Sequence, residues 1–84
     1  MKKDDKKIHD AVVEAVARIF RKDVSELTPD VRFLEDLKAK SINIVELVAV
    51  LQDQFQIEIP MMKVRRQKTI GEAVAFVAEL VRGG

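Results

Sequence analysis

Apolar positions along the chain recur at three- and four-residue intervals in three stretches. Ile8, Val12, Ala15, Val16, Ile19 and Phe20 share one face of a helix predicted over about residues 4–21. Arg18, Arg21 and Lys22 suit the negative end of its dipole. Ile44, Leu47, Val48, Leu51 and Phe55 give the core face of a second helix, about residues 41–55. The β-branched Val45, Val48 and Val50 make a strand its rival, but a run of that length without Gly or Pro decides for helix. Ile70, Ala73, Val74, Val77, Leu80 and Val81 define a last helix. Thr69-Ile70-Gly71-Glu72 reads as a capping box at its start, with Thr69 and Glu72 satisfying each other's backbone donors, and Gly83 and Gly84 are expected to fray its end.

Polar and breaking residues fill the spaces between. Residues 23–36 carry loop chemistry around Thr28-Pro29-Asp30, with Val31, Phe33, Leu34 and Leu37 as apolar anchors, so this long connection is expected to be packed. Gln56-Ile57-Glu58-Ile59 alternates like a short strand, but one isolated strand has nothing to pair with. Between Pro60 and Thr69 one short helix fits, about residues 62–66, which could instead be a mobile lid. The expected fold is all-α: a small four-helix bundle of three longer helices and a short third one, with a long ordered loop between the first and second.

The 84 residues suffice for one small domain, residues 1–84, and a 48% hydrophobic content argues against disorder. Charged residues nearly cancel to +1, which gives nucleic-acid binding no support from total charge. The absence of cysteine excludes disulfides and thiolate metal sites, and no metal site is expected. The charged start has no signal-peptide core, and no apolar run approaches the roughly 20 residues of a membrane span. A soluble, cytoplasmic monomer is the expectation.

Chemistry concentrates at Ser41, where a charged loop becomes an apolar helix. The first backbone N–H groups of a helix lack intrahelical partners, and the dipole there favours an anion such as a phosphate on the hydroxyl. Ile42, Val45 and Ala49 form a stripe beside the core face, continuous with Ser41. A small helical protein could bury that stripe; left exposed, it is a docking surface, with Glu46 and Lys40 beside it. Lys63, Arg65, Arg66 and Lys68 form a cationic run without an acid from 61 to 70, either a solvated face or a site for phosphate, an acidic partner or an anionic membrane. Catalysis has little to work with. His9, the single histidine, is expected on the surface without a local partner. Asp4-Asp5 falls in the tail, and Glu35-Asp36 reads as loop structure or a recognition feature.

From Phe33 to Val77 the chain resembles the acyl carrier protein family. The resemblance rests on Phe33-Leu34-Glu35-Asp36-Leu37, on Ser41-Ile42-Asn43 with Val45-Glu46-Leu47-Val48, on Phe55 with Glu58-Ile59-Pro60, and on Thr69-Ile70-Gly71-Glu72-Ala73. It implies a non-enzymatic carrier with 4′-phosphopantetheine, transferred from coenzyme A, on Ser41. The arm's thiol would hold acyl groups as thioesters, so a carrier without cysteine is no contradiction. It further implies a phosphopantetheinyl transferase and acyl-loading and acyl-accepting enzymes as partners. The acyl chain would lie against positions matching Phe33, Leu37, Leu47, Leu51, Ile59, Ala73 and Phe76.

The chain also departs from the family pattern. Lys38-Ala39-Lys40-Ser41-Ile42 stands where the family has Gly-Ala-Asp-Ser-Leu, which reverses the charge beside the serine. Asn43, Gln52, Gln54 and Gln56 stand at positions often acidic, a basic segment replaces an acidic third helix, and Gln67 replaces an apolar pocket residue. These changes point to a specialised carrier in a fatty-acid, lipid, lipopolysaccharide or polyketide pathway. The rival is an unmodified adaptor of the same fold that binds an acidic partner through its basic third segment. Peptidyl carriage and a small DNA-binding domain are further alternatives.

Overall fold

The computed structural model describes residues 3–83. It contains α1 (Lys3–Phe20), α2 (Ser41–Phe55), α3 (Met61–Val64) and α4 (Ile70–Gly83), with a 3-10 turn at Val24–Glu26. The expected all-α, four-helix architecture holds. α1 packs on both α2 and α4, and α3 packs on α2. Val12, Val16, Leu47, Leu51, Ile70 and Val77 form the centre of the shared core. Burying side chains of this size contributes about 1.5–3 kcal/mol each and dominates the folding free energy. No described helix is long and apolar enough to cross a membrane.

α1 buries more than the expected stripe, because Ala11 and Val13 are covered too. It ends at Phe20, where Arg21 turns left-handed (φ 56°) and the Lys22 N–H donates back to the Ala17 carbonyl at 3.0 Å. Asp5 belongs to this helix and not to a tail: its carboxylate pairs with Arg82 of α4 at 3.1 Å. His9 has a local partner after all, since Nδ1 lies 3.2 Å from the Asp10 carboxylate. That contact and Lys6 hold the Asp10 carboxyl below its ordinary pKa.

The long connection is packed, as its apolar residues predict, but through different anchors. Leu27 and Phe33 are buried and Val31 and Leu37 half-buried, whereas Leu34 is 71% exposed and anchors nothing. Asp23 opens the 3-10 turn. Its carboxylate accepts from the Ser25 N–H at 2.9 Å and hydroxyl at 2.8 Å, which lowers its pKa, while Glu26 accepts from the Asp23 N–H. Arg32 makes an isolated antiparallel bridge with Thr69, in which the Phe33 N–H donates to the Lys68 carbonyl and the Ile70 N–H to the Val31 carbonyl, both at 3.0 Å. The loop is thereby fastened to the start of α4. Gly71 lies close against the loop at this junction: its N–H donates to the Pro29 carbonyl at 3.0 Å, and a Cβ there would stand 3.1 Å from Pro29 Cβ, so a side chain would require Pro29 to shift.

Residues 56–59 form no strand. Gln56 ends α2 in the left-handed region (φ 54°), and the Gln52 side chain accepts from the Ile59 N–H at 2.8 Å. α3 is a single turn that starts at Met61 and stops at Val64, so Arg65 and Arg66 lie beyond it, not inside the expected helix. α4 runs through Gly83, which the expectation had fraying, while Gly84 lies outside the described residues. The capping box at α4 is half as expected. Thr69 Oγ1 accepts from the Glu72 N–H at 3.1 Å, but the Glu72 carboxylate takes the N–H of Lys68, not of Thr69.

Candidate functional site

Ser41 is the first residue of α2, and its side chain is exposed. A tight loop delivers it there. Asp36 and Leu37 donate their N–H groups to the Arg32 carbonyl at 3.0 and 3.1 Å, and Asp36 Oδ2 accepts from the Arg32 N–H at 2.8 Å. The Arg32 guanidinium pairs with Glu35. Both carboxylates of the Glu35-Asp36 pair thus bond within the loop, the structural one of the two roles expected for them. Lys38 then takes a left-handed conformation (φ 55°), which turns the chain so that the Ala39 N–H reaches the Phe33 carbonyl at 2.9 Å. Such a backbone costs a residue with a Cβ about 1–2 kcal/mol. Glycine avoids that cost, which gives a physical reason for the Gly that Lys38 replaces.

Lys40 is the last extended residue before the helix and offers no side-chain cap. Asn43 compensates from inside the helix, its Oδ1 accepting from the Lys40 N–H at 2.8 Å. The Lys40 carbonyl accepts from the N–H groups of Asn43 at 2.9 Å and Ile44 at 3.2 Å. That leaves the N–H groups of Ser41 and Ile42 without an acceptor among the described residues. No acid stands in the first turn. An exposed hydroxyl thus sits beside two open backbone donors at the positive end of a helix dipole. The arrangement suits a covalently attached anion.

Beside Ser41 opens a groove of about 1010 Å³ between the Arg32–Lys40 loop, the start of α2 and the α3–α4 connection. Phe33, Ile44 and Val64 form its apolar floor, while Lys40, Arg65, Arg66 and Lys68 give it a cationic rim. Gln67 lines it as well, with Nε2 donating to the Lys63 carbonyl at 2.9 Å.

The stripe on α2 is exposed. Ile42 is 58% and Val45 40% accessible, and Glu46, Ala49 and Lys40 face solvent beside them. Of the residues matched to an acyl pocket, Phe33, Leu47, Leu51, Ile59 and Ala73 are buried. Leu37 and Phe76 are half-buried against the same core. Phe33 alone among them also lines the groove. Sequence reasoning passed over Asn43 as a cap and Thr69 and Glu72 as groove walls. A polar residue three positions after Lys40 was the available signal for the first.

Residues 10–77 match the family described as phosphopantetheine attachment site. The chain belongs to the acyl carrier protein family. It is 38% identical over 73 residues to proteins named acyl carrier protein from Rickettsia canadensis and Rickettsia massiliae. The match spans 87% of this chain and 85% of each relative. The acyl carrier protein of Rickettsia typhi is 37% identical over the same length. Membership brings a covalently attached 4′-phosphopantetheine and a carrier's role, not an enzyme's. It also implies work with enzymes, a phosphopantetheinyl transferase among them.

Proposed function

We propose that Ser41 is the attachment point of the 4′-phosphopantetheine and that the chain is an acyl carrier of a specialised fatty-acid, lipid, lipopolysaccharide or polyketide pathway. The supporting observation is the exposed Ser41 hydroxyl beside the open N–H groups of Ser41 and Ile42. When bound, the group supplies a thiol that holds acyl groups as thioesters. The protein's own residues do the rest. The two N–H donors and the Lys40 ammonium offset the negative charge of a phosphodiester at Ser41. Ser41 Oγ makes no hydrogen bond among the described residues, so the base that activates it belongs to the transferase.

Ile42, Val45, Glu46 and Ala49, with Lys40, form the docking face for the transferase and the acyl-handling enzymes. Exposed apolar side chains next to the reactive hydroxyl are the type of surface that partner binding covers. Phe33, Leu37, Leu47, Leu51, Ile59, Ala73 and Phe76 are the residues an acyl chain would contact if the bundle parts. Each sequestered methylene then gains about 0.8 kcal/mol. The specialised pathway is inferred from Lys40 beside the serine, Gln67 in the groove and the basic 61–70 segment.

Incubation with coenzyme A and a broad-specificity transferase tests the assignment. The wild-type chain should gain the mass of one phosphopantetheine, and Ser41→Ala should gain none while keeping its helical circular dichroism. Modification of the alanine variant would overturn it.

A further inference from the structure

Arg65, Arg66 and Lys68 line the α3 side of the groove and Lys63 stands on the adjoining turn, more cations than one phosphodiester requires. All four are exposed, and none forms an ion pair among the described residues. The two acids that line the groove are already engaged, Glu35 with Arg32 and Glu72 with the Lys68 N–H. The cations also sit on ordered backbone. Buried Val64 anchors the turn, and the N–H groups of Arg65, Arg66 and Gln67 donate to Met61, Lys63 and Val64 at 3.0, 3.2 and 2.9 Å. Met62, 64% exposed within the run, adds an apolar contact.

We propose that this side of the groove docks an acidic segment of a partner protein, whose carboxylates pair with Arg65, Arg66 and Lys68 in the groove, while exposed Met62 and Lys63, on the adjoining turn outside the groove lining, extend the contact. Arginine forks match carboxylates in a bidentate manner, and a pre-ordered turn lowers the entropic cost of the pairing. The neighbouring α2 face decides against an anionic membrane. From 41 to 60 it carries Glu46, Asp53 and Glu58 and no Lys or Arg, so a uniformly anionic surface would be repelled there. Nucleic acid lacks a stacking platform, because the groove's one aromatic, Phe33, is buried. A partner with acidic and basic patches in the right register satisfies both faces, and one with a uniformly basic surface is rejected at α3. This inference takes its purpose from the carrier reading, since it names the partner class of the same groove.

Backbone amide shifts of the holo protein, followed during titration with acetyl-Glu-Glu-Leu-Glu-Glu-Leu-amide, test it. The lysine-for-glutamate peptide and phosphatidylglycerol vesicles serve as comparisons. Shifts should cluster at residues 62–68, and Arg65→Glu/Arg66→Glu should weaken binding at least about tenfold, the loss of one charged hydrogen bond. If that variant does not fold, Arg65→Gln/Arg66→Gln should weaken binding in the same direction. Unchanged affinity in the folded variant, tighter binding of the lysine peptide, or preference for the vesicles would each overturn the proposal. The wild-type chain before modification should show the same clustering of shifts at residues 62–68. A failed modification of Ser41 therefore leaves this result standing, and the two failures are distinguishable.

Discussion

The two helices that border the groove start in opposite ways. At α4 the first three N–H groups are all taken: Ile70 donates to the Val31 carbonyl, Gly71 to the Pro29 carbonyl and Glu72 to Thr69 Oγ1. Glu72 also stands in the first turn, where the dipole favours an acid. At α2 the N–H groups of Ser41 and Ile42 have no acceptor among the described residues, and a lysine precedes them. One start is closed by the protein and fastens the long loop. The other is left open beside an exposed hydroxyl. A helix start that forgoes its cap loses stability of about 1 kcal/mol, and such a loss is retained where the open donors serve a ligand.

The contrast can be broken from either side. The largest effect is expected at the closed start. Gly71→Ala would push a methyl against Pro29, whose carbonyl cannot retreat without lengthening its hydrogen bond. Overpacking should outweigh the helix propensity gained and lower stability by about 1–2 kcal/mol in urea unfolding. Thr69→Ala removes a working cap and should cost about 1 kcal/mol. The same change at Ser41 should leave stability within about 0.5 kcal/mol, because the Ser41 side chain caps nothing. Equal losses at the two positions would erase the distinction. Lys40→Asp closes the open start with a carboxylate and should raise apo stability by about 0.5–1 kcal/mol. Lys38→Gly relieves the left-handed turn leading into α2 and should stabilise by about 0.5 kcal/mol, its gain reduced by the entropy of glycine.

What the sequence revealed follows the same division. α2 was legible at both ends, since a continuous period from Ile44 to Phe55 and the polar approach through Lys38-Ala39-Lys40 are local signals. The spacing put Ile42 and Val45 beside the core stripe but left burial and exposure both open, and the fold leaves the two side chains exposed. The α4 start was only half legible. Thr69 and Glu72 advertise a cap, but the partners of Ile70 and Gly71 lie some forty residues upstream, at Val31 and Pro29. The same distance hid the bridge of Arg32 to Thr69, and it left Leu34 looking like an anchor when Leu27 is one. α3 was placed too late because one turn has no periodicity, and its start is set by Pro60, whose carbonyl accepts from Lys63 and Val64 at 3.1 Å. The Asp23 cap and the Asp10 partner of His9 were within local reach.

The central claim is that the open start of α2 carries the arm on Ser41. Intact mass of the protein from its native host, with peptide mapping across Ser41, tests it most directly. The predicted result is one phosphopantetheine on Ser41, with any further mass belonging to the acyl cargo. A chain that carries the group on another residue, or that stays unmodified in its host and after exposure to coenzyme A and transferase, would contradict it.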